Sequence, residues 1–539
     1  ATSPHAFRAC LVRATPLIGL AWKEATMSLD FSETYKRTGP PPVFSPDGTK
    51  IATAVDHRLV LRDAETCGVI FMQECFCKIS AIEWSSDSDH VLCAMYKKNQ
   101  GKVQVFKSSD DEWRCAIDEG PAGLVFARWA PCGTRVLTIS EFNLRVSVWS
   151  LLDTSCVYIK HPKFDSGRGL DFSPDGRFLC VVERKQCVDS IVVIDCGSWT
   201  TAAKFQSSVD DVADAKWSPD STSIAVVPSP HSESGLLVLH SPDGRVLREF
   251  KPEEDETSVF SKDGKTATAA SSSGITCHRW SSGGSFLATG SRDRKTRVMN
   301  HVSWRAFATL THSSRIVAPA TVAVYQETET KVTGTFKKAK ETARGENENE
   351  NLNPDREWYE DSDSAGASSA KDPVRQARIR QKGLLDGTLV PKYVVVALPA
   401  TIAVGALKSS KHASENSTQS PCDDGVSRIE WSFNDRFLAT LDSTSSNTVY
   451  VWDMVNIELT AVLVQMENVV HFKWDPRSNR LAAVTGSERV YVWSPDGASF
   501  VQIPLPGFTP TSLSWNPNGD SFVLGDKGTF CVAFLGDAP

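Results

Sequence analysis

At 539 residues the chain is too long for one ordinary hydrophobic core, so several domains or a repeat architecture are expected. Its 41% hydrophobic and 23% charged content is that of a globular protein, and no apolar run approaches the roughly 20 residues of a membrane-spanning helix. The net charge of −7 gives no general pull toward nucleic acid or anionic lipid.

Residues 1–26 carry Arg8, Arg13 and Lys23 against the single acid Glu24, a faint likeness to a mitochondrial transit peptide. We read them instead as a non-propeller N-terminal extension, because the repeat pattern starts only after Met27. The strand-like run Leu29-Asp30-Phe31-Ser32-Glu33-Thr34-Tyr35 follows, and its partner becomes apparent only at the far end of the chain.

From there an apolar residue, a spacer and an aromatic recur nine times, each followed by a Ser/Pro/Asp/Asn/Gly turn and a second apolar run. The aromatics are Phe44, Trp84, Trp129, Phe172, Trp217, Trp280, Trp431, Trp474 and Trp515, separated by 40, 45, 43, 45, 63, 151, 43 and 41 residues. Two long gaps apart, this is the spacing of four-stranded propeller blades. Ser45-Pro46-Asp47-Gly48 and Ser173-Pro174-Asp175-Gly176 suit type I turns, Pro fixing φ at the second position. Apolar second strands such as Phe178-Leu179-Cys180-Val181-Val182 and Phe437-Leu438-Ala439-Thr440 suit burial on both faces. Third strands alternate and end in a bulky residue, as in Val146-Ser147-Val148-Trp149 and Val490-Tyr491-Val492-Trp493. Among the third strands only Trp452-Asp453 keeps the full WD dipeptide. Turns at Ser241-Pro242-Asp243-Gly244 and Ser494-Pro495-Asp496-Gly497 lead into a fourth strand. The expected fold is all-β, a WD40-type β-propeller of about nine to ten four-stranded blades, in one enlarged ring or a ring plus additional blades. Leu29–Tyr35 would supply the outer strand of the last blade, closing the ring and removing an exposed sheet edge.

Blades one to six are expected within 27–325 and the remaining blades within 393–539. The gap of 63 holds the acidic run Lys251-Pro252-Glu253-Glu254-Asp255-Glu256 and a Ser/Thr/Gly tract, an extended loop. The gap of 151 holds a charged insertion, 326–392, expected to be disordered. Ile316-Val317 with Thr321–Tyr325, and Tyr393–Leu398, flank it and together suggest a split blade. Within the insertion, Arg375, Arg378, Arg380 and Lys382 form a basic cluster for an acidic partner, and Asp361-Ser362-Asp363-Ser364 is a phosphorylation candidate. A solvated linker is the plainer account of both.

No catalytic, cofactor or metal site is expected. Gly264-Lys265-Thr266 resembles the end of a phosphate-binding loop, but Val259 stands where that motif requires Gly. The 11 histidines are dispersed, and there is no zincin spacing or G-x-S-x-G elbow. Cys75 and Cys77 share a strand face without a second pair or a nearby His, which favours packing over metal. The 14 cysteines lack the density of a disulfide scaffold and suit a reducing compartment. Asn416-Ser417-Thr418 reads as a chance sequon.

Cys93-Ala94-Met95-Tyr96-Lys97, Ile117-Asp118-Glu119-Gly120, Glu141-Phe142, Leu144-Arg145, Val148-Trp149-Ser150-Leu151 and Asn300-His301-Val302 give the chain its likeness to a known family. It resembles the centrosomal WD-repeat protein eight family, encoded in vertebrates antisense to a p53-related gene, from about Met27 to Leu535. The resemblance implies a non-catalytic scaffold of the cytoplasm, located at centrosomes, spindle poles, centriolar satellites or basal bodies. It also implies a coiled-coil adaptor of the Msd1/SSX2IP type and, in fungi, a minus-end-directed kinesin-14, together anchoring microtubule minus ends. Within the resembling stretch Tyr96, Lys97, Asp118, Glu119 and Arg145 are the candidates for reaching that partner; alternatively they fix turns between blades. A second reading is an RNA- or ribosome-associated propeller of the translation-initiation-factor type, which the acidic charge does not favour. The third is a channel enzyme.

Overall fold

Every one of the nine repeat aromatics closes a short first strand, and in blades one to eight three more antiparallel strands follow it in meander order. The computed structural model describes residues 7–9, 28–96, 101–230, 232, 235–252, 274–313, 315–318, 322–331, 389–395, 400–403 and 425–536. Blade one runs from Val43–Phe44 through Val69–Glu74, blade two from Ala81–Trp84 through Asp110–Asp118, and blade three from Phe126–Trp129 through Cys156–Lys160. Blades four, five and six begin at Leu170–Phe172, Val212–Trp217 and Ile275–Trp280. Blades seven, eight and nine begin at Val426–Trp431, His471–Trp474 and Ser512–Trp515. The family-like β-propeller is therefore present, with nine blades among the described residues.

The ring is closed by packing. Nine separate clusters of buried side chains each join two neighbouring blades, the ninth placing Phe44, Ile51, Ala64 and Cys67 of blade one against Val523, Phe530 and Val532 of blade nine. Second strands carry most of this burial because they face a blade on both sides. In Phe437–Asp442 every residue is buried, and each large apolar side chain so placed contributes about 1.5–3 kcal/mol. The first-strand tryptophans add a polar stitch: Trp84 Nε1 donates to the carbonyl of Val43, Trp129 to Glu83, Trp474 to Glu430 and Trp515 to Lys473, at 2.9–3.2 Å. Each bond crosses to the preceding blade.

The N-terminal clasp forms as expected. Ser28–Phe31 pairs antiparallel with Thr529–Gly536, Leu29 opposite Leu535 and Phe31 opposite Ala533, and Tyr35–Lys36 pairs with the start of the same strand. Blade nine thereby gains its fourth strand from the other end of the chain. Phe7–Ala9 adds one more strand outside Ser28–Phe31, so this part of the extension joins the sheet. At the seam between blades nine and one, Asn516 Nδ2 donates to the Gly48 carbonyl at 3.2 Å. Gly48 has φ +75°, and a Cβ there would lie 2.4 Å from Asn516 Oδ1, so the turn needs glycine for both reasons.

The segments flanking the insertion do not build a blade of their own. Ala323–Lys331 runs parallel to Glu458–Val464 on the outer edge of blade seven and pairs antiparallel with Leu389–Val395, giving a six-stranded sheet. Arg315–Ala318 pairs with Ala400–Ala403. The reason lies in how the hairpin is used up by its neighbours. Val322 and Val324 enter the core between blades six and seven, while Tyr325 and Tyr393 enter that between seven and eight. The buried Glu327 carboxylate pairs with Arg489 and accepts from Tyr491 Oη at 2.9 Å. Both ends of the 326–392 insertion are thus strands. Its charged interior, with Arg375, Arg378, Arg380, Lys382 and the Ser362/Ser364 run, lies outside the described residues, as does most of the acidic loop after blade five.

Candidate functional site

Strand direction alternates through each blade, so the loop between second and third strands and the loop leading to the next blade emerge at one end of the ring. The Ser-Pro-Asp-Gly turns lie at the other. The four candidate residues that the structure describes belong to the first end, in blades two and three. Tyr96 follows the second strand of blade two, Asp118 ends its fourth strand and Glu119 follows it, and Arg145 opens the third strand of blade three. Lys97 lies outside the described residues.

The structure separates them by role. Tyr96 is half-buried against the core between blades two and three, which raises its phenol above the usual range, and its backbone N–H donates to Ser80 Oγ at 3.1 Å. Asp118 is exposed. It accepts from Lys102 Nζ at 3.0 Å and from the Gly120 N–H at 2.8 Å, and these bonds hold its carboxyl below the ordinary carboxylate value. Glu119, expected to reach a partner, is buried instead. Its carboxylate accepts from Thr138 Oγ1, from Trp149 Nε1 at 2.9 Å and from Ser147 Oγ at 3.3 Å. It latches the incoming loop onto the second and third strands of blade three, and no acceptor capacity is left facing outward. Arg145 belongs to the same latch: it approaches Glu119 at 3.5 Å and lies 4.4 Å over the Tyr158 ring, with its side chain about one-third exposed.

What this end offers a partner is mostly apolar, and the charge-based expectation passed over it. Phe142 is 87% exposed, Phe76 64% and Leu144 58%. Phe142 and Asn143 both have left-handed backbone, φ +63° and +52°, a conformation that costs a bulky residue about 1–2 kcal/mol. The loop is held in place by Asn143 Nδ2 donating to the Lys163 carbonyl at 3.0 Å. Strain maintained at a solvent-exposed aromatic is an argument for use. The patch is continuous: Lys102 Nζ sits 5.1 Å above the Phe76 ring and bonds Asp118. Gly123, in the loop after Glu119, lies so close to Glu141 that a Cβ would stand 2.8 Å from its side chain. An arc thus runs from Phe76 through Lys102 and Asp118 to Glu141, Phe142 and Leu144. Other strongly exposed apolar residues, Leu152, Val302 and Val455, stand in separate hairpins at the opposite end. The sequence did carry a signal for the arc: Glu141-Phe142-Asn143-Leu144 puts two large apolar residues where a turn of polar residues is the rule.

A mixed apolar and charged rim of this kind can bind a protein surface, and among the described residues none of its groups is arranged as a nucleophile with a base. The family model for the WD domain, G-beta repeat, matches residues 263–300 and 415–453, ending at the third strands of blades six and seven. The chain is 34% identical to the mouse (Mus musculus) WD repeat-containing protein WRAP73 over 94% of its own length and 96% of that protein's. An uncharacterized WD repeat-containing protein of Schizosaccharomyces pombe is 28% identical over 17% of each chain. Among solved structures, the C-terminal WD40 domain of Sif2 overlaps 88% of this chain and 99% of that one at 11% identity and a TM-score of 0.44. The Cps50 (Swd1) propeller of Myceliophteria thermophila overlaps 52% and 90% at 13% identity and a TM-score of 0.34.

Proposed function

The chain belongs to the WD-repeat protein eight family, that of WRAP73, and from this we propose that it is a non-catalytic scaffold whose arc at blades one to three docks a coiled-coil adaptor at the centrosome or spindle pole. The bound adaptor, with a minus-end-directed kinesin where one is present, would anchor microtubule minus ends. One observation carries the choice of surface: a highly exposed aromatic held in a strained backbone, Phe142 beside Leu144, at one end of an arc that reaches Phe76 through Lys102 and Asp118. Amphipathic helices bind through such spaced apolar anchors flanked by charge, here Lys102, Asp118 and Glu141.

The test is a triple exchange, Phe76→Ser, Phe142→Ser and Leu144→Ser, in tagged full-length protein from dividing cells. The expected result is loss of the co-purifying coiled-coil protein and of spindle-pole foci, with an unchanged melting temperature because all three side chains are exposed. Undiminished adaptor recovery would remove the arc from the proposal. Recovery of ribosomal subunits in place of an adaptor would overturn the scaffold role.

A further inference from the structure

The central channel is lined by the first strands, whose tryptophans and alternate residues turn into the blade interfaces. The other residues face the channel, and they are charged to an unusual degree for a surface so enclosed. Around blades two to five they are Glu83, Arg128, Asp171, Asp214 and Lys216. These are mutually satisfied: Glu83 accepts the Trp129 N–H at 2.9 Å, Asp171 the Trp217 N–H at 2.9 Å, and Lys216 reaches Asp171 at 3.4 Å. Around blades six to eight the balance reverses, with Arg279, Arg428 and Lys473 against the single carboxylate Glu430.

That carboxylate is already committed, because Arg279 holds it at 2.6 Å while Arg428 stands at 3.7 Å. Arg428 turns to a neutral partner, donating to His471 Nε2 at 3.0 Å. A guanidinium only donates, so Nε2 must accept and the imidazole proton sits on Nδ1, a buried atom with no partner. Lys473, two residues along the same strand, is exposed, and its ammonium has no partner among the described residues. Burial first, and then the charges of Arg428 and Lys473, push His471 down to about 4.

We propose that the channel face of blades seven and eight is a binding site for a small molecule bearing several phosphate groups, held by Arg428 and Lys473. The spacing favours several phosphates over one. Arg428 and His471 stand at one height of the channel and Lys473 at the next, about 7 Å along the strand direction, further than one phosphate group spans. Arg428 offers a planar fork and Lys473 a mobile point charge, the usual division of labour at phosphates. Ser512 and Ser514 of blade nine border the site and carry no charge against it.

The proposal is independent of the adaptor surface and is tested on the purified full-length chain by isothermal titration with inositol hexakisphosphate and with tripolyphosphate. Both are expected to bind, and Lys473→Glu to weaken both by about tenfold or more, whereas Lys185→Glu, the same charge change on an exposed hairpin of blade four, leaves them unaltered. Ser514→Glu, which adds a carboxylate at the height of Lys473 without touching a cation, is expected to weaken binding as well and keeps the test valid if Lys473→Glu fails to fold. The proposal is overturned if neither polyphosphate binds, or if Lys473→Glu and Lys185→Glu weaken binding equally. It is also overturned if citrate or a polyglutamate peptide binds as tightly as tripolyphosphate, since the site would then recognise carboxylates.

Discussion

Blades three and seven solve the same problem with different chemistry. In blade seven Trp452 Nε1 donates to Thr440 Oγ1 at 2.9 Å, Thr440 donates to His312 Nε2 at 2.7 Å, and His312 Nδ1–H donates to the Arg294 carbonyl at 3.0 Å. In blade three Trp149 and Thr138 make the equivalent pair at 3.0 Å, and Glu119 takes the place of the histidine. Both residues act as acceptor for a Trp–Thr pair and tie the incoming loop to the blade. The loops that follow the second strands differ more. Ser443–Ser445 of blade seven is a short helical turn capped by Asp442, with Thr444 Oγ1 donating to that carboxylate at 2.8 Å and Ser445 buried. Glu141–Asn143 of blade three has the same length, but no side-chain cap, left-handed backbone and an exposed phenylalanine. A similar latch therefore supports a self-contained loop in one blade and a presented one in the other.

The comparison is broken most severely at Glu119. Glu119→Ala removes the acceptor of Ser147 Oγ and the stronger of two acceptors for Trp149 Nε1 and Thr138 Oγ1, and frees Arg145, for a loss of about 3 kcal/mol in urea unfolding. Glu119→His, which installs the blade-seven acceptor, should recover part of that loss. If the two variants are equally destabilised, the two latches are not equivalent.

Acid should distinguish the blades next. Burial lowers His312 from its ordinary value near 6.5, so the folded protein holds it neutral while the unfolded chain protonates it. The unfolded state binds more protons between the two pKa values. Stability from this group is therefore complete above about pH 6.5 and is lost as pH falls from there toward the folded value, at about 1.4 kcal/mol per unit of separation. His240 is lowered by burial too, and His471 to about 4, so each adds to the same slope. Melting temperature should drop between about pH 7 and pH 5, and His312→Gln should flatten part of that drop. Amide exchange should open blade seven before blade three, whose latch contains no imidazole. Simultaneous opening would make the histidine irrelevant.

How far the sequence announces these features follows from what each depends on. Local chemistry at a fixed period was readable: all nine first-strand aromatics and the Ser-Pro-Asp-Gly turns fall where the spacing put them, and Leu29–Phe31 pairs with Thr529–Gly536 because a ring must close. Features that depend on pairing across long gaps were not. Glu119 sits in Asp118-Glu119-Gly120-Pro121, which reads as an exposed turn, and its likeness to His312 is hidden because the insertion stretches the spacing from latch to first-strand tryptophan in blade seven. The flanks of the insertion have a strand pattern, but only the packed structure reveals that Ala323–Lys331 has blade seven's outer edge as its partner. Phe142 was visible as an apolar residue in a loop, whereas its backbone strain was not.

The smallest expected effect is the most informative about use. Phe142→Asn keeps the loop length and replaces a residue that resists left-handed backbone with one that tolerates it. If the phenylalanine contributed to the fold, the exchange would cost stability. Its side chain is 87% exposed, so little packing is lost, and relief of strain should leave unfolding free energy unchanged or raise it by up to about 1 kcal/mol. Adaptor co-purification should fall in the same variant. A gain in stability joined to a loss in binding is what a residue retained for contact produces, and blade seven supplies the control: Ser445→Ala, in the equivalent loop, should leave binding untouched because its side chain is buried and faces no partner.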